Sequence, residues 1–228
     1  MTIFPGSIYG GMGRLGVGKQ TSAAVPWWLS GGISAANCVA AWQAKGAASL
    51  AASYINLANP GTHNLTVKAG ATDPIFDTSV GWTFSAALSN GLTSSATTGN
   101  DINQTMIIAL KSLGVEGCSV FGLYANNVTR IYSGNTWTAI FVGNAYNGGN
   151  ISYTNLRVLA ISGKFSYVDG AQWGAELNPT VFANRKLDIM CGGGSAPYKS
   201  GVVTAAAKYN TALSPAQVAA LSAAMAAL

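Results

Sequence analysis

The sequence predicts an all-β fold, a jelly-roll sandwich of antiparallel sheets, and three observations carry that prediction. Short runs rich in β-branched and aromatic residues recur along the chain, separated by Asn-, Gly- and Ser-rich turns, the signature of a sandwich rather than of parallel βαβ units. Only 8% of the 228 residues are charged while 28 are glycine, a mixture suited to short strands joined by tight turns. Late in the chain, Asn155 to Ile161 and Lys164 to Val168 lead into Asp169-Gly170. Asp-Gly between β-rich flanks marks a hairpin, because a type I′ turn needs positive φ at both central residues. A chain of this length buries one large core, and sandwiches of this size are commonly single domains.

Residues 1–32 read as an extended arm. Met1 to Gln20 are glycine-rich without apolar periodicity, and Pro26-Trp27-Trp28-Leu29 lies near the arm's end. Each tryptophan buries roughly 150–250 Å² when packed, which makes Trp27, Trp28 and Leu29 the candidate assembly contacts, docked on a neighbouring subunit or back on their own sandwich. The globular domain is expected over residues 33–228. Cys38 to Gln43 is its first strand, and Ala47 to Leu57, with Leu50, Tyr54 and Leu57 at helical spacing, is a short helix or a turn. Asn59-Pro60-Gly61 is a loop. Gly81 to Phe84 and Gln104 to Leu110 are strands, the second apolar enough to be central. Ser119 to Leu123, Arg130 to Ser133, Trp137 to Val142 and Leu187 to Met190 continue the series, and Gly201 to Asn210 adds one more strand.

A terminal helix follows. Ser214 is its N-cap, Pro215 suits the first helical position and Gln217 stands where a capping box wants Glu or Gln. Leu213 and Val218 occupy the two positions of a hydrophobic staple. Val218, Leu221, Met225 and Leu228 form one apolar stripe to lay on the sandwich.

In order, Trp27-Trp28-Leu29, Val39 to Tyr54, Asn56 to Thr62, Gly81-Trp82-Thr83-Phe84, Tyr167-Val168-Asp169-Gly170 and the ending from Tyr209 resemble the laminin-G-like, concanavalin A-like jelly-roll domains, in the versions found in structural proteins of tailed bacteriophages. The resemblance spans about Trp27 to Leu228. It implies two curved antiparallel sheets used for binding glycans or other proteins, and a non-enzymatic place on a virion, as head decoration or tail component. Other virion proteins, further copies of the same chain and host-surface glycans are the partners it implies, with synthesis in the host bacterial cytoplasm. No cofactor is expected. A glycan-binding adhesin and a glycan hydrolase of the same fold are the alternatives.

Composition narrows the chemistry. The net charge of +5 comes from 12 dispersed Lys and Arg residues, with Arg185-Lys186 the only adjacent pair, so no basic stripe points to nucleic acid. No run has the length of a membrane span, and the N-terminus lacks a basic region followed by an apolar core. Cys38, Cys118 and Cys191 are odd in number and widely spaced, which reads as free buried thiols. Gly11 to Gly16 spells G-x-G-x-x-G, and Gly13 to Lys19 nearly spells a phosphate-binding loop. Neither has the strand before and helix after that such motifs require, and Gln20 stands where the magnesium-binding Ser or Thr belongs.

Catalytic groups are scarce. His63 is the only histidine, next to Pro60-Gly61 and without a G-x-S-x-G partner. Asp73 and Asp77 are the only close acidic pair, with Pro74 between them. Turn capping explains both as well as glycan hydrolysis does. Three cysteines and one histidine do not make a structural zinc site. Calcium has possible oxygen donors in Asp73, Asp77, Asn100, Asp101 and Asn103, which also suit Asx turns. Residues 124–150 interleave aromatics with asparagines, and from them Tyr132, Trp137, Asn144, Tyr146 and Asn147 are the candidate glycan-binding residues. Aromatic faces stack on sugar C–H surfaces while amides bond hydroxyls; core strands and Asn-Gly turns account for the same pattern.

Overall fold

A computed structural model describes residues 24–99, 102–114, 117–122, 125, 128–133, 138–151, 155–191 and 198–228. In chain order these carry β1 (Cys38–Gln43), α1 (Leu50–Ser53), β2 (Leu65–Val67), β3 (Ile75–Asp77), β4 (Gly81–Phe84) and β5 (Leu92–Thr97). There follow β6 (Thr105–Leu113), β7 (Cys118–Phe121), β8 (Arg130–Ser133), β9 (Thr138–Val142) and β10 (Ala145–Gly149). The chain closes with β11 (Arg157–Ser162), β12 (Phe165–Val168), β13 (Ala171–Gln172), β14 (Lys186–Ile189), β15 (Gly201–Tyr209) and α2 (Pro215–Ala226).

Among the described residues the strands form two antiparallel sheets. The first has the order β13-β12-β11-β6-β15-β4-β3, with β1 beside β15, and the second β10-β9-β8-β7-β14-β5-β2. The expected sandwich with a terminal helix is what the chain adopts. Strand β15 organises the first sheet: one edge pairs along β6, and the other pairs first with β4, through Gly201 to Val203, and then with β1, through Ala205 to Tyr209.

Alternation along the strands makes two cores. Met106, Ile108 and Leu110 of β6, with Leu159 and Ile161 of β11, point between the sheets at Ile140, Val142, Leu187 and Ile189, and Trp42 meets Phe121 edge-on with centroids 6.5 Å apart. The alternate residues Ile107, Ala109, Val158, Ala160, Ala205 and Ala207 face outward under α2, where Val218, Leu221 and Met225 are fully buried. An alanine-lined sheet face lets a helix come close, and each of these apolar side chains contributes roughly 1.5–3 kcal/mol by leaving water. The expected capping box is present: Gln217 N donates to Ser214 Oγ and Ser214 N to Gln217 Oε1.

Of the two dockings open to residues 24–32, the structure shows the one on the chain's own sandwich. Trp27 is buried in the core under α2, its Nε1 donates to Gln43 Oε1 at 2.9 Å, and the Tyr209 hydroxyl donates to the carbonyl of Trp28 at 2.8 Å. Gly31 sits at φ +75, and a Cβ there would stand 3.0 Å from Ala220 Cβ. The sandwich therefore takes in Trp27, Trp28 and Leu29, because an indole this large finds its apolar cover in the chain's own helix. The rest of the arm, residues 1–23, with the Gly11 to Lys19 motifs, lies outside the described residues.

The free edge of β1 is closed by the loop after α1. Buried Asn56 accepts from Ala41 N and Ala58 N and donates to the carbonyls of Val39 and Thr62, which satisfies its amide completely. The Asp169-Gly170 hairpin has the expected conformation, with φ +51 and +82 between the partners Val168 and Ala171. The three cysteines are free and buried.

Candidate functional site

Strands β8, β9 and β10 build an aromatic face on the outside of the second sheet. Ile131, Ile140 and Val142 point into the core, so Arg130, Tyr132 and Phe141 point outward by alternation. The two-residue turn Gly143-Asn144 then fixes the register: Val142 pairs with Ala145, and Tyr146 falls directly opposite Phe141. The rings of Phe141 and Tyr146 lie 5.1 Å apart and inclined by 31°, Tyr132 meets Phe141 edge-on at 6.4 Å, and the Arg130 guanidinium sits 4.4 Å from the Phe141 centroid. Phe141 is thus held by a cation on one side and rings on the others. Tyr146 is 57% exposed. Gly148 lies beside that ring, where a Cβ would meet it at 3.4 Å, about ordinary contact distance.

The other candidates separate from this pair. Asn144 Oδ1 accepts from Thr180 N and Val181 N and its Nδ2 donates to Thr180 Oγ1, so its amide fastens the 179–182 segment to the hairpin. Asn147 alternates to the inner side, where Nδ2 donates to Ser166 Oγ and the Ala175 carbonyl. Asn147 thus ties β10 to β12 of the other sheet and Asn144 ties the hairpin to the 179–182 segment, and both amides are engaged within the fold. Trp137 lies outside the described residues. Sequence reasoning missed Phe141 and Arg130 as members of the face; the alternation around Ile140 was the signal available for the first.

Each described acid has a partner. Asp73 accepts from the Tyr54 hydroxyl at 2.6 Å; burial, and after it this contact, drives the phenol's pKa upward. Asp77 accepts from both the hydroxyl and the backbone N–H of Ser79, which holds its pKa below the usual carboxylate range; this is the Asx turn. Asp169 binds Arg157 and Val158 N, Glu176 binds Lys164, and buried Asp188 binds Lys68 at 2.5 Å. Burial works to lower the Lys68 pKa, but the hydrogen bond and charge of Asp188 outweigh it and raise it. Asn100, Asp101 and Glu116 lie outside the described residues. Among the described residues no group of three or more His, Cys, Asp or Glu side chains converges on a metal site, and no helix is long and apolar enough to cross a membrane.

A second concavity opens at the rim between the sheets. It holds about 260 Å³ and is lined by His63, Ser95, Gln104, Lys208 and Asn210 among others. His63 Nδ1 lies 3.0 Å from Ser95 Oγ, and the described lining residues include no carboxylate.

No protein-family model matches the chain, and no curated protein sequence matches it. Solved structures do. Domain 4 of the extracellular arabinanase AbnA from Geobacillus stearothermophilus, solved with arabinotriose, aligns with TM-score 0.54 at 17% identity over 82% of this chain and 98% of that one. The receptor-binding domain of botulinum neurotoxin type G aligns with TM-score 0.55 at 10% identity over 80% of this chain and 50% of that one. The Trypanosoma rangeli sialidase in complex with sialic acid aligns with TM-score 0.56 at 13% identity over 82% of this chain and 33% of that one. The chain thus spans nearly all of the first, half of the second and a third of the third. None of these three is a virion component, and the phage setting rests on the sequence resemblance alone. What the likeness establishes is the fold: a lectin-like, two-sheet antiparallel sandwich.

Proposed function

We propose that the chain is a non-catalytic glycan-binding module whose platform is the outer face of β8 to β10. The observation that carries this reading is Tyr146, a ring more than half exposed yet stacked on Phe141. A rigid ring presented flat to solvent takes the C–H face of a sugar with little further loss of side-chain entropy. Support also comes from the similar structures, two of which were solved with saccharide ligands, although a shared fold carries no activity by itself.

The non-catalytic part rests on the acids. Glycoside hydrolysis needs one carboxyl to protonate the leaving group and another to attack or activate water, roughly 5–9.5 Å apart. Here Asp73 and Asp77, the close pair, are engaged by Tyr54 and Ser79. The virion setting and homo-oligomeric assembly are separate proposals of the sequence resemblance, compatible with a glycan-reading face, and native mass spectrometry tests the second.

A glycan array followed by calorimetric titration of its hits tests the binding reading. Tyr146→Ala should weaken a hit up to about tenfold, the loss of one ring contact worth roughly 0.5–1.5 kcal/mol, while Asp73→Asn leaves it unchanged. Equal affinity in Tyr146→Ala removes the platform. Release of reducing ends from a polysaccharide panel, lost in Asp73→Asn, replaces the module with an enzyme.

A further inference from the structure

Strand β10 ends the second sheet, and its backbone faces outward at two residues. The two-residue turn Gly143-Asn144 makes Val142 and Ala145 the closing hydrogen-bonded pair, and bonded and unbonded pairs alternate from there. Phe141 with Tyr146 and Ala139 with Gly148 are unbonded pairs. In an unbonded pair each N–H and C=O points away from the opposite strand. Those of Tyr146 and Gly148 therefore point out of the sheet edge. Both residues are exposed, and among the described residues no backbone group meets them there.

The other edges are guarded. Strand β13 is two residues long and lies against α2, and β3 is three residues long and carries Asp77. The edge of β1 is closed by Asn56 and the loop after α1. Strand β2 is three residues long, its Leu65 N–H donates to the Tyr54 carbonyl, and Lys68 follows it. Strand β10 is five residues of Ala, Tyr, Asn and Gly, without a charge, a proline or a shift of register. Shortness, charge, proline and bulges are the devices that keep edge strands from pairing. A neutral edge meets no like charge in its own copy, and a two-fold axis sets two identical strands antiparallel.

We infer that β10 pairs with β10 of a second copy of this chain, so that the second sheets of the two copies run on as one. The axis passes at Asn147, whose amide is turned inward to Ser166 and Ala175. Tyr146 then exchanges both backbone bonds with Gly148 of the partner subunit, and Gly148 does so with the partner's Tyr146. This register sets a ring against a residue without a side chain. Each Tyr146 ring already lies beside its own Gly148, so the two rings, diagonal neighbours about 7–8 Å apart along the backbone, meet over the axis. The interface is smaller than the roughly 1,200 Å² of a standard one, which makes the dimer concentration-dependent. It does not rest on glycan binding.

Sedimentation equilibrium of the full chain from about 10 µM to 1 mM tests the pairing, with amide hydrogen exchange at the same concentrations. Dimers and nothing larger should form, and the Tyr146 and Gly148 amides should exchange more slowly as they do. Gly148→Lys sets like charges across the axis and should weaken the dimer about tenfold or more, with an unchanged monomer unfolding midpoint. Gly148→Asp should do the same, and an equimolar mixture of the two variants should recover the dimer as a mixed pair. A chain that stays monomeric throughout, a dimer that Gly148→Lys leaves intact, or Tyr146 and Gly148 amides that exchange alike in monomer and dimer overturns the inference.

Discussion

An amide contributes to ligand binding only if its donors and acceptors are not already engaged, and at this edge of the sandwich they are. Asn144 and Asn147 stand close to Tyr146 in the chain and have the chemistry of sugar ligands, yet their partners are Thr180 and Val181 for one, Ser166 and Ala175 for the other. Those partners lie far away in sequence, which is why composition around Tyr146 reads as a site while half of it is fastening. The two kinds of residue separate by measurement. Asn144→Ala removes the acceptor of the exposed Thr180 and Val181 N–H groups, which water then solvates, and should lower stability by about 0.5–1.5 kcal/mol, read as a shifted urea midpoint. Tyr146→Ala removes an exposed ring and should stay within about 0.5 kcal/mol. A glycan affinity that falls in Asn144→Ala without any change in that midpoint would return Asn144 to the binding face.

At the scale of elements, what is legible is what is local. The Asp169-Gly170 hairpin and the α2 cap are each specified within a few residues, by positive φ at two positions and by a Ser and a Gln three apart. Strand β10 was not legible, because Asn147-Gly148-Gly149 has poor strand propensity. It pairs because the Gly143-Asn144 turn folds it onto β9, and a Cβ at Gly149 would stand 3.0 Å from the Trp173 ring, a tight contact that the glycine avoids. Strand β3 was hidden likewise, three residues long at the sheet's edge. The segment at Trp27 lacks periodicity of its own, and its burial comes from a helix at the other end of the chain. The cap offers the cleanest test of an element. Ser214→Ala removes the acceptor for Gln217 N and should cost about 0.5–2 kcal/mol. An unaltered unfolding midpoint would mean that α2 contributes nothing to the cooperative fold.

For the whole molecule, few charges and three buried thiols make alkaline pH the sensitive direction. Burial pushes Cys38 and Cys118 up to about 12 from an ordinary 9.0, further than the Tyr209 hydrogen bond lowers the first or the Lys199 charge the second. Cys191 is raised too, by burial and then by the Asp188 charge. Below pH 9 a thiol is protonated in both folded and unfolded chains and contributes no pH dependence. Above it the unfolded chain releases its protons while the folded chain retains them, so stability falls as pH rises, by about 1.4 kcal/mol per pH unit for each thiol. The loss runs from about pH 9 until the folded thiols themselves ionise near 12. Buried Tyr209, raised by burial and by Cys38, adds to the loss at the upper end of that window. Urea midpoints at successive pH values should therefore hold level from pH 7 to 9 and then decline steeply, and replacing the three cysteines by alanine should flatten the first part of the decline. A midpoint independent of pH from 9 to 11, or a slope identical in the cysteine-free variant, would show that these thiols are not shielded as the two cores require.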